Sequence, residues 1–278
     1  MTKSFKSAIA SFALIAGILS AVHASVRPGP AQAGKSLQDP KAARILRNFQ
    51  AGRKVLIQTS ASQPVMQDFD EAEQLFASGD LDGALTRLEA ALKREARRST
   101  FRVIWSAYDR IAEDYDKFDR YVSFMQNLVN AYPNVPDVRA ALASAYGVKA
   151  ANLQKTNPAA MKDVIRYGNL SVDQLDVALA IDPENFMARL GRAITNSYSP
   201  TGLAAAEEDF DKLLSLQVLR KNPWYPYYMV YYYYGDALKR GDSLTRAREV
   251  VTLGLHYYPV NEDLKRLLDE VNKLIASR

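Results

Sequence analysis

Residues 231–259 read YYYYGDALKRGDSLTRAREVVTLGLHYYP. Tyr231, Tyr234, Gly235 and Leu238 recur at three- and four-residue intervals, so they share one side of a helix. Gly241-Asp242 breaks that helix, and Ala247, Val251 and Gly254 form a second stripe that Pro259 closes. Small residues at Gly235, Ala247 and Gly254 mark where two helix backbones approach, and bulky neighbours fill the grooves beside them. A helix pair of this kind cannot bury its apolar side alone and must stack on others.

The same pattern recurs upstream. Ala72, Leu75 and Phe76 precede Gly79-Asp80, and Ala84, Leu88 and Ala91 follow in the string GDLDGALTRLEAAL at 79–92. A second pair carries Trp105 and Tyr108, then Phe118, Met125, Leu128 and Pro133. A third begins with Leu142-Ala143 and Tyr146, runs on through Lys149–Thr156, restarts at Pro158, and closes with Leu175, Ala178 and Pro183. A fourth opens on Leu190-Gly191, is interrupted by SYSPTG at 197–202, and continues in a helix expected to reach about Leu219.

These stripes resemble the tetratricopeptide repeat (TPR), a 34-residue unit of two antiparallel helices. The resemblance implies an all-α, right-handed α-solenoid of about five divergent TPR-like pairs across 65–278. A final amphipathic helix near 261–275, with Leu264, Leu267, Leu268, Val271 and Leu274 on one face, reads as its terminal cap. The second pair departs from the family pattern at Asp109 and Tyr121, where small residues are usual. Nothing alternates with period two, so strands are not expected.

The N-terminal end reads differently. Lys3 and Lys6 precede an apolar run from Ala8 to Val22, with small residues at Val22 and Ala24. That pattern is a secretory signal peptide over 1–24, too short to span a bilayer, which needs ~20 residues. Its removal lowers the formal charge of +5 by two. The expected location is periplasmic or secreted, without a membrane span. Residues 25–38, with Pro28, Gly29, Pro30 and Gly34, read as a linker, and 39–58 as an N-terminal helix opened by Asp39-Pro40. There Ala43, Leu46 and Phe49 share a face. Lys41, Arg44, Arg47, Arg53 and Lys54 form one basic run and Lys93, Arg94, Arg97, Arg98 and Arg102 another. Both read as solvated helix faces or as contacts for an anionic lipid, glycan or acidic partner. The modest net charge points away from nucleic acid.

Catalytic chemistry finds little support. The chain has no cysteine, and His256 is the one histidine outside the expected leader. A zinc site or a hydrolase triad therefore lacks its residues and its context, and neither metal nor cofactor is expected. Gly29 to Ser36 satisfies the phosphate-loop string, but no strand can precede it and no parallel sheet is available. The reading is a non-enzyme.

The aromatic block Trp224, Tyr225, Tyr227, Tyr228 and Tyr231–Tyr234 is the candidate site. Four consecutive tyrosines cannot face one way on a helix. The repeat register places Tyr231 and Tyr234 in the core and turns Tyr228 and Tyr232 to the inner, concave surface, with Asp236 and Lys239 one turn on. Tyrosine there offers stiff contact area with a polar tip. The resemblance also implies inner positions at Ser106, Arg110, Ala140 and Ser144, of which only Arg110 suits the carboxylate clamp of some family members. Two readings follow. One is an exported scaffold or adaptor holding a protein or peptide partner on its concave face. The other is an accessory protein binding a small molecule, lipid or glycan in an aromatic pocket near the last repeats, walled by long helices at 149–175 and 203–219.

Overall fold

The computed structural model describes residues 39–198, 202–216 and 227–278. The expected leader (1–24), the linker (25–38) with its phosphate-loop-like string, Trp224 and Tyr225 lie outside them. The described residues form twelve α-helices, one 3-10 turn at Pro158–Ala160 and no strand. They divide into two compact units, 39–183 and 184–278.

The N-terminal unit holds α1 (Pro40–Gln58), α2 (Gln63–Ser78), α3 (Leu81–Glu95), α4 (Phe101–Asp114), α5 (Phe118–Ala131), α6 (Pro136–Thr156) and α7 (Met161–Ile181). The C-terminal unit holds α8 (Phe186–Ser197), α9 (Leu203–Ser215), α10 (Tyr228–Arg240), α11 (Leu244–Tyr257) and α12 (Glu262–Ala276). Consecutive helices pack as α2/α3, α4/α5, α6/α7, α8/α9 and α10/α11. The tight connections inside α2/α3, α4/α5 and α10/α11 turn the chain back on itself and make those pairs antiparallel. First helices also touch first helices: α4 meets α6, α8 meets α10, and α10 meets α12. This is the all-α, solenoid-like repeat architecture that the stripes predict.

Local chemistry sets the boundaries. Asp39 accepts the Lys41 N–H ahead of Pro40. Asp80, Asn185 and Asn261 each accept the amide three residues on, at 2.8 to 2.9 Å, and so open α3, α8 and α12. The Gly-Asp breaks use their residues differently. After α2, Gly79 itself takes the left-handed conformation, φ 93°. After α10, Gly241 stays right-handed and Asp242 takes that step, φ 66°, as aspartate occasionally does.

Close approach explains the small residues. A Cβ on Gly235 would press into Val251 of α11, and one on Gly254 would lie 2.6 Å from the Cβ of Tyr231. Ala72, Ala84 and Ala247 are likewise fully buried.

The second pair solves its two departures jointly. Tyr121 of α5 donates its hydroxyl to Asp109 of α4 at 2.6 Å, Trp105 donates its indole N–H to Tyr121 at 2.7 Å, and Ser144 of α6 donates to Asp109 at 3.3 Å. All four residues are buried. The bulky polar pair thus stands where two small residues would, with each polar tip satisfied, as burial demands. Burial pushes the Asp109 carboxyl above the usual aspartate range, against the pull of the Tyr121 hydrogen bond and of Arg110.

Several expectations need correction. The buried stripe of α1 is Ala42, Ile45, Phe49, Gly52 and Leu56, so Phe49 is inward but Ala43 and Leu46 are not. The alternating three- and four-residue steps from Ala42 keep that stripe in line along the helix, whereas Ala43 and Leu46 fall beside it. Helix α9 ends at Ser215 rather than near Leu219 and is not lengthened. The stretch 149–175 is two helices, because Asn157-Pro158 interrupts it, and α6 and α7 pack on one another. On α12, Leu264, Leu267 and Val271 are buried but Leu274 is 44 % exposed. Two of the five basic residues of α1 are engaged in internal ion pairs: Arg44 chelates Asp114 of α4 at 2.6 and 2.7 Å, and Arg53 reaches Asp70 and Glu73 of α2. No helix among the described residues is long and apolar enough to cross a membrane.

Candidate functional site

Helix α10 supplies the site. Tyrosines are mediocre helix formers, so its stability comes from what they pack on. Tyr231 and Tyr234 are fully buried. Tyr231 stacks on Tyr257 of α11 at 6.2 Å between centroids, and Tyr234 stacks on Phe210 of α9 at 5.0 Å. The Tyr234 hydroxyl donates to Asp211 at 2.8 Å and receives Arg246. Tyr227 lies on Phe186 of α8 at 5.7 Å and donates to the Leu213 carbonyl. Tyr233, which the register argument left unassigned, is also buried. It lies perpendicular to Tyr232 at 5.0 Å.

The remaining stripe, Tyr228, Tyr232, Asp236 and Lys239, advances by steps of four, four and three residues and stays half-buried. Lys239 holds Asp236 at 3.1 Å and Glu270 of α12 at 2.7 Å. Burial works against the lysine's charge, but these carboxylates outweigh it and lift the ammonium above the usual lysine value. Arg240 binds Asp236 at 3.0 Å and donates to the Ser197 carbonyl at 2.6 Å. Its guanidinium lies 3.8 Å over the Tyr198 ring, a cation–π contact joining the end of α8 to α10. Tyr198 donates to Asp236 at 3.4 Å. Arg266 of α12, paired with Asp263 at 2.8 Å, supports the Tyr232 hydroxyl. Burial and then Asp236 raise the phenols of Tyr232 and Tyr198 above the ordinary tyrosine value, and burial followed by Tyr232 raises that of Tyr233. Four of the predicted residues therefore do share one surface. Its chemistry is a row of phenols with cations already matched by carboxylates.

Arg110 does not belong to that surface. It lies in the N-terminal unit and is 2 % exposed. The register places it on the inner side of α4, but α1 covers that side, with Arg44 near enough to act on its charge. Burial, then Arg44, weakens the Arg110 cation; Asp109, Glu113 and Asp114 support it. Ser144 is buried in the Asp109 network and Ala140 is buried as well, so no open carboxylate clamp forms there. Arg240 was missed although it lies on α10 itself, next to Lys239; Tyr198, Arg266 and Glu270 were missed because they come from the end of α8 and from α12.

The fold and the paired first helices define the class: an all-α, TPR-like helical-repeat fold. A solved structure agrees. The chain is similar to the crystal structure of a thermophilic TPR protein from Thermus thermophilus, with a TM-score of 0.53 and 17% sequence identity, covering 74% of this chain and 98% of that one. No family model matches the sequence. No curated protein sequence matches it significantly either.

Proposed function

We propose that this protein is an exported scaffold that holds a protein partner on the first-helix face of its C-terminal unit, through Tyr228, Tyr232, Asp236 and Lys239. The observation that carries the reading is the half-buried stripe itself. Tyr232 keeps solvent access while three neighbours on the same helix, Tyr231, Tyr233 and Tyr234, are buried. Stiff aromatic area with polar tips is what partner surfaces use as anchors. Lys239 and Arg240 are already paired with carboxylates, so the stripe favours recognition by ring contact and hydrogen bonding over net charge, with weak salt dependence. Export rests on the leader-like pattern of 1–24.

The test is co-purification from the native cell envelope with the Tyr228→Ala/Tyr232→Ala double variant. Loss of a stoichiometric polypeptide at unchanged thermal stability supports the reading; unfolding of the variant assigns both rings to the core. Intact mass of the purified protein reads the leader, with cleavage expected before Ser25. The second reading, a small hydroxylated ligand, draws on the phenols of Tyr198, Tyr228, Tyr232 and Tyr233, which lie near enough to perturb one another. A small mass retained in native mass spectrometry, with no polypeptide, favours it.

A further inference from the structure

The left-handed residues Gly79, Asp116 and Asp242 end the first helices α2, α4 and α10 and give them a common register. Counting back from each, Tyr232 of α10 corresponds to Phe69 and Ser106, Asp236 to Glu73 and Arg110, Lys239 to Phe76 and Glu113, and Arg240 to Ala77 and Asp114. The stripe that stands open to solvent in the C-terminal unit therefore has a counterpart on α2 and α4.

That counterpart is occupied by α1. Phe49 packs on Phe69 at 5.1 Å and on Phe76 at 6.1 Å. Arg53 reaches Glu73 at 3.1 Å, and Arg44 chelates Asp114. Gly52 marks the tightest point: a Cβ there would lie 2.9 Å from Phe69 of α2 and 3.0 Å from Val103 of α4. Apart from these two first helices, α1 makes no substantial packing contact with another helix of its unit. It lies outside the repeat pattern and enters α2 through the connection at 59–62.

We propose that the α2–α4 face is a helix-accepting site, and that α1 is its ligand supplied in cis. The ligand class follows from what is seated there. It is an amphipathic helix with apolar residues at the spacing of Ala42, Ile45, Phe49 and Leu56, a glycine where it crosses both acceptor helices, and arginines on either side for Asp114 and Glu73. Such a helix matches the groove-docking mode of peptide recognition, with anchors three, four and seven residues apart. The site is independent of the tyrosine stripe and does not depend on how that stripe is used.

The test uses the full chain and a synthetic peptide of residues 39–59. Ile45→Glu with Phe49→Glu undocks α1 in cis and leaves the acceptor residues intact. A cis occupant lowers apparent affinity by the fraction of time the site is open, so the undocked variant is expected to bind the peptide one to one, and the parent at least ~10-fold more weakly. Equal binding by parent and variant would overturn the proposal, as would a folded variant that binds none. If circular dichroism shows that the double variant has lost its fold, Asp114→Ala takes its place, read by hydrogen exchange. Selective acceleration of the α1 amides, increased further by added peptide while α2 and α4 stay protected, supports a docked ligand. Acceleration of α1 only in step with α2 and α4 makes α1 ordinary core and sinks the idea.

Discussion

The two units carry the same first-helix face and treat it oppositely. In the N-terminal unit Phe69, Phe76 and Arg110 are covered by α1, and the acids on that face are spent on Arg44 and Arg53. In the C-terminal unit the matching positions hold Tyr232, Lys239 and Asp236, which keep access to water. The residue types fit the two fates. Phenylalanine has no polar tip and must be covered, whereas tyrosine tolerates a half-wet position because its hydroxyl can bond to water or to a neighbour. One sequence register thus yields a closed surface where it is filled with Phe and acids, and an open one where it is filled with Tyr and matched ion pairs.

The largest expected effect strikes the closed face. Phe49→Ala removes a fully buried ring held between Phe69 and Phe76, and urea denaturation is expected to show a loss of about 3–5 kcal/mol. A loss below about 1 kcal/mol would mean that the closure is loose. Next comes Gly235→Ala, which drives a methyl into Val251 from behind the open face; overpacking of this kind costs about 1–3 kcal/mol in thermal unfolding. The smallest change in stability is expected for Tyr228→Ala/Tyr232→Ala, within about 1 kcal/mol, because both rings are only half-buried. A larger loss would erase the distinction between the two faces.

A pH experiment sharpens the contrast from inside the N-terminal unit. Burial holds Asp109 above the ordinary aspartate value, so the native chain keeps this proton more tightly than the unfolded chain does. Its contribution is fullest below the unfolded value of about 4 and is lost as pH rises through the folded one. Asp109→Asn keeps an acceptor for Tyr121 and cannot ionise. From about pH 4 to about pH 7 the unfolding midpoint of the variant is expected to gain on that of the parent. A pH-independent difference would mean that the carboxyl meets water.

Much of the fold was legible because small residues recur where helices cross. Gly235, Ala247, Gly254 and Ala84 needed no tertiary information to be placed. The division of tyrosines into Tyr231 and Tyr234 inside and Tyr228 and Tyr232 at the surface followed from helical angle together with the repeat register. The closure by α1 was not legible in that way. Its basic run looks like a solvated face until Asp114, Asp70 and Glu73 arrive from other helices, and those acids look equally ordinary by themselves. Arg110 was misjudged for the same reason: the register gives the side of a helix but not what lies across it. The end of α9 and the exposure of Leu274 show the usual looseness of helix limits, where periodicity continues past the last packed turn.

The pair Asp109–Tyr121 has a consequence for how this chain can change over time. Each residue alone is a poor occupant of a position that prefers a small side chain, and each is tolerated because the other is present. Removing the tyrosine strands a buried carboxyl and opens a void; removing the aspartate strands a buried phenol. Single steps back to the ordinary pattern therefore run uphill, and only a joint replacement runs level. Among relatives of this protein the two positions should be inherited as a unit, with Trp105 and Ser144 following them, so that the crossing of α4 and α5 behaves as a lineage marker.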